Sequence, residues 1–266
     1  VLPVYAGLCD RLGDTATAAQ ARSLAGELVD AVAGEWNGRW FRRAYAPCKG
    51  ALGDEDCWLE VQPWAILCGA ADEQRSVALL ETIDELLRTN SPLGARLRWP
   101  LPERGDMTGQ PGEGLSSGIW FSINMTLVWA AARHLPKLAL DEWRRMTLSS
   151  HTAAYPDIWE GTLSGPDAYN SPESARPGRT WGTRQLAMQQ FPVNNLHSHS
   201  QPLLSYLRLL GVEPDAGGAL RAGGGASFQS PSFRIDEDGH GALDAKGDVE
   251  IISRHGTVSG RGRLEW

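Results

Sequence analysis

Short amphipathic helices alternate in this sequence with long loops rich in Gly, Pro and Trp, and that alternation restricts the architectures open to it. Residues 14–33 predict a helix: Asp14 is placed to cap it, Leu24, Leu28 and Val32 recur every four residues, and Gly34 stops it. Further helices are predicted over 60–70, over 118–134, over about 139–154 and over 200–210, the last stopped by Gly211 and Pro214. Another starts at Asp72, carries Val77, Leu80, Ile83, Leu86 and Leu87 on one face, and ends at Asn90-Ser91-Pro92. Between them lie irregular stretches at 46–57, 91–117 and 155–183. Connections that long in compact domains are commonly functional or disordered.

Antiparallel helix pairs arranged around a ring would gather such loops at one end, above a pocket. The predicted class is therefore mainly α: an (α/α)6 toroid, incomplete in this chain, over residues 1–213. An ordinary helical bundle accounts for the helices but not for the Trp-bearing loops. Asn37-Gly38 reads as a turn between short extended pieces. Gly and Ala dominate 214–226, which predicts a linker. Beyond it, Ser227–Ile235, Val249–Ser253 and Thr257–Trp266 alternate or carry β-branched residues, with Asp-Gly turns between, so 227–266 predicts a small β module.

Bulk properties remove several classes. The net charge is -7 and the arginines are scattered, so there is no basic stripe for nucleic acid. No run of about 18 apolar residues predicts a membrane span. Cys9, Cys48, Cys57 and Cys68 form no C-x-x-C pair and have no zinc-finger partners, which fits reduced thiols in a cytoplasmic protein. An oxidising compartment would instead favour a Cys48–Cys57 loop. Residue 1 is Val and no signal peptide opens the chain, so the sequence is expected to be a piece of something longer. The most informative count is 11 Trp against 5 Tyr and 5 Phe. An indole stacks on the C–H face of a pyranose and donates its N–H to a hydroxyl. About half of these residues are expected in the core and half along a cleft.

The richest segment is Tyr155–Asn170, with Asp157, Glu160, Asp167, Tyr155, Tyr169 and Trp159. Sugars need this mix of flat apolar faces and hydrogen-bonding carboxylates, and glycosidic cleavage needs a carboxylic acid to protonate the leaving oxygen. The alternative is a loop whose Asp residues cap turns. Ser164 and Gly165 offer a hydroxyl and close backbone approach to a phosphate. His197 and His199 would share a face in a strand and could hold a metal, yet no third ligand is evident; near a helix N-terminus they could hold an anion instead. Gln62 and Trp64 are candidates for sugar contact, or Trp64 for the core. Trp120 and Asn124 lie in Gly118–Asn124, where an amide in an apolar helix needs a ligand or a neighbouring loop as partner. P-loop, dinucleotide and nucleophile-elbow motifs are missing from the sequence.

Together these segments resemble glycoside hydrolase family 94, the inverting disaccharide and oligosaccharide phosphorylases. Glu35-Trp-Asn-Gly-Arg-Trp-Phe-Arg-Arg-Ala-Tyr45 is similar to the family's W-x-G-x-W-(Y/F)-x-R-A-Y stretch, and Gln62-Pro-Trp-Ala-Ile-Leu-Cys-Gly69 to its Q-S-W-A-V-L-S-G helix. Tyr155-Pro-Asp-Ile-Trp159 and Ser164-Gly-Pro-Asp-Ala-Tyr-Asn170 look closest to the 1,2-β-oligoglucan phosphorylases, and the similarity runs from about residue 1 to 212. The resemblance implies an (α/α)6 barrel with a small C-terminal β module, and inorganic phosphate as co-substrate and nucleophile. It implies neither a metal nor an organic cofactor. The family's general acid lies in an Asp-Trp-Asn-type motif ahead of the W-x-G-x-W stretch. Nothing like it precedes Glu35, so the acid is expected upstream of residue 1, with Asp157, Glu160 and Asp167 as fallbacks. The family's phosphate-binding His run is replaced here by Gly118–Ser122.

The expected substrate-binding set is therefore Gln62, Trp64, Trp120, Asn124, Trp159 and Asp167, and the phosphate-binding set Ser164, Gly165, His197 and His199. The expected partners are an oligosaccharide and phosphate, with no nucleic acid or membrane, in a protein that could dimerise as family enzymes do. Three readings stay open at this point: phosphorolysis of β-linked gluco-oligosaccharides, an inverting hydrolase or transglycosidase on the same toroid, and a non-catalytic sugar-binding piece.

Overall fold

The computed structural model describes residues 1–48, 50–102, 110–158, 168–180, 196–215, 217–223 and 225–266. Two units emerge: Val1–Gly34 with Leu207–Trp266, and Glu35–Tyr206.

In the first unit, α1 (Leu2–Arg11) and α2 (Thr15–Ala33) form a hairpin. Asp14 caps α2 as its sequence position implies, its carboxylate accepting from the Thr17 amide at 3.0 Å. The buried face is not the leucine stripe. Ala6, Cys9, Ala18 and Ala21 make the core, because small side chains let the two helices approach closely, while Leu24 and Leu28 stay about half exposed.

The second unit begins with the Asn37-Gly38 turn. The Asn37 carboxamide accepts from the amides of Arg39 and Trp40, and a bridge joins Trp36 to Phe41. Two short antiparallel strands follow, β1 (Ala44–Ala46) and β2 (Gly50–Leu52). Then come β3 (Cys57–Trp58), α3 (Gln62–Leu67) and α4 (Glu73–Ile83), with Asp72 capping α4 through the Arg75 amide. A single π turn, Asp84–Arg88, extends α4, and Asn90 ends the run at a φ of 58°. The predicted face of this run is buried at Leu80, Ile83, Leu86 and Leu87. Strand β4 (Arg98–Trp99) returns to pair with β3.

Strand β5 (Ile119–Trp120) leads into α5 (Phe121–Ala132), which is buried on most of its circumference and packs on α3 and on α6 (Pro136–Arg145). The helix expected over 139–154 is two. Thr147 starts α7 (Leu148–Ala154) by accepting from the Ser150 amide. Strand β6 (Ala168–Tyr169) pairs with β5, and α8 (Leu196–Leu209) closes the helical part, four residues earlier than expected.

After α8 the chain makes one six-stranded sheet. Its strands are β7 (Val212–Pro214), β8 (Leu220–Ala222), β9 (Phe228–Gln229), β10 (Phe233–Ile235), β11 (Gly241–Ser253) and β12 (Gly256–Glu265). The order is β7-β8-β11-β10-β9, with β12 also on β11, and β8 runs parallel to β11. Strands β9 to β12 fall within the expected 227–266, but the same sheet also takes in strands of 212–222, where a linker was expected. Residues 212–222 form a hairpin of the sheet, closed by the Asp215 carboxylate, which accepts from the amides of Gly217 and Ala219. Gly218, at a φ of 89°, is a turn residue and not a flexible joint.

All four cysteines are free thiols. Cys57 is fully buried, and burial pushes its thiol up to about 12, whereas Cys48 and Cys68 are exposed. Since the thiolate is the reactive form, a thiol-specific reagent at pH 8 is expected to label Cys48 and Cys68 in the native chain. Cys57 should react only after denaturation, as peptide mapping of the labelled protein would show. Among the described residues, no helix is long and apolar enough to cross a membrane.

Candidate carbohydrate site

Gly112, Gly114 and Gly118 fold residues 110–118 back on themselves. The Gly112 amide reaches the Ser116 carbonyl and the Gly118 amide the Gly114 carbonyl. A Cβ on Gly118 would stand 2.7 Å from the Gly114 oxygen, so nothing larger fits. This fold delivers β5 to β6, with Ile119 opposite Tyr169 and Trp120 opposite Ala168. The Ser171 amide then donates to the Gly112 carbonyl, and the Asn170 amide to the Arg179 carbonyl. Two loops far apart in sequence, 110–120 and 168–180, thus become one layer at the start of α5.

Buried polar groups fix that layer. Glu113 is 3% exposed and accepts from the Ser174 hydroxyl at 3.0 Å, with the Arg176 guanidinium at 3.4 Å. Arg96 holds Glu173 by a fork of bonds of 2.6–3.0 Å, and the Ser171 hydroxyl donates to the same carboxylate. Burial alone would raise Glu173, but the bonds from Arg96 and Ser171 outweigh it and hold this carboxyl below its ordinary value. A group with a lowered folded value stabilises the fold above the ordinary carboxylate range and loses that contribution as pH falls through the folded value. Stability is therefore expected to fall with pH below about 4, and Glu173→Gln should flatten that part of the profile; denaturant midpoints across pH 2–6 would check it.

His151 on α7 is 1% exposed and lies in the same layer, stacked on Tyr169 with ring centroids 4.4 Å apart. Its Nε2 is 2.8 Å from the Gly178 carbonyl, which can only accept, so Nε2 carries the proton. Its Nδ1 has no hydrogen-bond partner among the described residues. The Tyr155 ring packs on Gly178 so closely that a Cβ there would sit 2.4 Å from it. Beside this layer a cleft of about 280 Å³ is lined by Glu85, Leu86, Thr89, Arg96, Arg98, Trp99, Leu101 and Glu173. It offers an indole, two leucines, a hydroxyl, two guanidiniums and two carboxylates, a mixture suited to a polyhydroxylated ligand.

Two of the residues expected to touch a sugar are engaged elsewhere. Gln62 is fully buried; its oxygen accepts from the Phe41 amide and its nitrogen donates to the Phe41 and Trp58 carbonyls, each at 2.9 Å. That amide ties the 36–41 turn to α3; both its N–H groups are committed and it exposes no surface to a ligand hydroxyl. Asn124 is 1% exposed and donates to the Ala95 carbonyl and to Glu142, so a neighbouring loop satisfies it, not a ligand. Trp64 is exposed on α3, edge-on to Trp129. Trp120 is half-buried and its Nε1 donates to the Gly114 carbonyl, which places it in the β5–β6 seam. Asp157 is exposed. Trp159, Glu160, Ser164, Gly165 and Asp167 lie outside the described residues. His197 and His199 fall in the first turn of α8, with side chains outside that description.

Sequence reasoning missed His151, Glu113, Arg176, Arg96 and Glu173. The available signal was the spacing of His151 and Tyr155, four apart on one helical face ahead of a loop. Among the described residues no cluster of three potential metal ligands occurs.

Residues 1–110 match the model of the glycosyl hydrolase 94 superfamily, catalytic domain. Cellobionic acid phosphorylase of Neurospora crassa is 33% identical over 106 residues, 37% of this chain and 13% of that protein. The 3-O-beta-D-glucopyranosyl-beta-D-glucuronide phosphorylase of Paenibacillus borealis is 36% identical over 98 residues, 35% of this chain and 12% of that protein. The matches thus span about an eighth of the length of these relatives.

Proposed function

We propose that this chain is part of an inverting glycoside phosphorylase that cleaves β-linked gluco-oligosaccharides with inorganic phosphate and releases a sugar 1-phosphate. The observation that carries this reading is the superfamily match over residues 1–110, shared with two relatives that are both phosphorylases by name. The helix pairs α1–α2 and α5–α6, each joined by a short turn, suit the repeating unit of an (α/α)6 toroid. On this reading the loop layer around β5 and β6 is a wall of the sugar site. Trp99 and Tyr155 offer ring faces, and Asp157, Trp159 and Asp167 contribute hydroxyl and stacking contacts. Ser164, Gly165, His197 and His199 remain the proposed phosphate contacts. Phosphate attacks the anomeric carbon while a carboxylic acid protonates the departing oxygen, and the anomeric configuration inverts.

The same reading places the protein in the cytoplasm, where four free thiols persist, and allows a homodimer, which sedimentation would reveal. The test of function is phosphate-dependent release of glucose 1-phosphate from β-1,2- and β-1,4-linked gluco-oligosaccharides by the intact protein. Gluconate and glucuronate should be included as acceptors in the reverse direction, because both relatives are named for acidic sugars. Equal cleavage with and without phosphate would overturn the proposal in favour of a hydrolase.

A further inference from the structure

Ser117 holds a backbone conformation that L side chains rarely adopt, at a φ of 85°. Among the described residues only Asn90 and Ser117 take a positive φ without being glycine, and Asn is a residue whose short amide tolerates that region. Serine does not visit it routinely, and the same loop already uses glycine for a positive φ at Gly112 and Gly114. A glycine at 117 would remove the strain. The serine side chain must therefore contribute something that glycine cannot. It is fully buried, and its hydroxyl donates to the Arg98 carbonyl at 2.8 Å. The segment that receives this bond is tied at the preceding residue as well. The Leu97 carbonyl accepts from the Leu59 amide at 2.8 Å, and the Leu97 amide donates to the Gly118 carbonyl at 2.9 Å. Arg96, Arg98, Trp99 and Leu101, all on this segment, line the cleft of about 280 Å³. The Ser117 bond thus falls immediately before the indole of the cleft wall.

We infer that Ser117 is a positioning residue for the carbohydrate cleft: it holds a strained backbone so that its hydroxyl can fix Arg98 and Trp99 in the cleft wall. Strain of this kind persists only where the surrounding structure enforces it, and it clusters at ligand sites. The enforcing contacts lie next door, where the Gly118 amide is held by the Gly114 carbonyl and the Gly118 carbonyl by the Leu97 amide. An indole whose backbone is fixed before binding loses little freedom when a sugar face stacks on it. Without the hydroxyl bond, β4 keeps its pairing with β3, but the Arg98 carbonyl loses its partner on the 110–118 side and Trp99 samples more than one position. Each binding event then has to order the wall first. That cost falls on the ground state and the transition state alike, so it is read in KM more than in kcat. The identity of the cleft as a sugar site rests on the proposed function; the hold of Ser117 on β4 does not.

The experiment compares Ser117→Gly and Ser117→Ala with the parent in the intact protein labelled with 15N. The urea midpoint reports the strain. Relaxation dispersion at the Trp99 indole N–H, identified from the spectrum of Trp99→Phe and recorded without sugar, reports motion of the cleft wall on the μs–ms scale. Phosphate-dependent release of glucose 1-phosphate reports its use. Both variants lose the hydroxyl, so both should show more exchange at Trp99 than the parent. Both should also show a KM raised by about fivefold, the equivalent of one lost hydrogen bond, with a smaller change in kcat. Only glycine relieves the φ, so the midpoint of Ser117→Gly should lie above that of Ser117→Ala. Exchange at Trp99 no greater in the variants than in the parent, an unchanged KM in an active protein, or a Ser117→Gly midpoint at or below that of Ser117→Ala would overturn the inference. A parent that releases no glucose 1-phosphate overturns the proposed function instead, and the Trp99 exchange and the midpoints then decide whether Ser117 holds the cleft wall.

Discussion

Replacing Glu142 with Ala is expected to destabilise the helical unit by roughly 3–5 kcal/mol, the cost of leaving a buried charge without its partner. Glu142 on α6 has no exposed surface and accepts three bonds at once. Its Oε2 takes the Arg88 Nε–H at 2.6 Å, and its Oε1 takes the Ala95 amide at 2.8 Å and the Asn124 carboxamide at 2.7 Å. Arg88, itself 3% exposed, also pairs with Asp84 and Asp141, but both of these are about half exposed and hold only its outer nitrogens. The truncation therefore strands a guanidinium face, a backbone amide and a carboxamide in the core. Gly94 leaves no room for compensation, since its would-be Cβ position is within 2.8 Å of Glu142, Asn124 and Met146. Glu142→Gln keeps the shape but turns one acceptor into a donor, so it should cost less than Ala and more than a surface change. Urea unfolding followed by Trp fluorescence tests this cleanly, because every tryptophan but Trp266 lies in the helical unit. A midpoint shift of less than the equivalent of about 1 kcal/mol, with unchanged slope, would show that the charges are solvated in place.

The contrast between what was legible in the sequence and what was not follows the range of the interactions. Asp14, Asp72 and Asn37 act within three residues of themselves, so their caps and turn could be read directly. The β module was legible because alternation is local. The 214–226 segment was misread because its glycines suggest a flexible joint, whereas Asp215 and the pairing of β8 with the distant β11 make it part of the sheet. Leu24 and Leu28 gave the right helix but the wrong face, since periodicity reports which residues align and not which neighbour small side chains admit. Gln62 and Asn124 looked like ligand contacts because a buried amide needs partners. Those partners come from Phe41, Ala95 and Glu142, at sequence distances that no local pattern exposes. The loop layer was legible as a composition, through its aromatics and carboxylates. The pairs that order it, Arg96 with Glu173 and Glu113 with Ser174, join residues more than sixty positions apart and were not.

Gly178→Ala should disable the loop layer while sparing the β module, with a loss of roughly 2–4 kcal/mol in the helical unit. Two costs add here. Gly178 sits at a φ of 72°, where an L side chain is strained by about 1–2 kcal/mol. Its Cβ would also stand 2.4–2.8 Å from three carbons of the Tyr155 ring, an overlap that only movement of the ring or of the 176–180 backbone relieves. Either movement is felt at once, because the Gly178 carbonyl accepts the His151 Nε2–H and its amide donates to the Asn170 carbonyl. His151 in turn stacks on Tyr169, whose strand holds Trp120 in register. A displaced Tyr155 therefore removes a ring face from the proposed sugar wall and loosens the β5–β6 seam together. The expected result in the intact protein is a weakened substrate interaction, seen as a raised KM with a smaller change in kcat, and a lowered midpoint in Trp-detected unfolding. Tyr155→Ala in the Gly178→Ala background decides the mechanism. If ring overlap dominates, the second change should recover part of the stability lost in the first; if the strained backbone dominates, the double variant will be less stable than either parent.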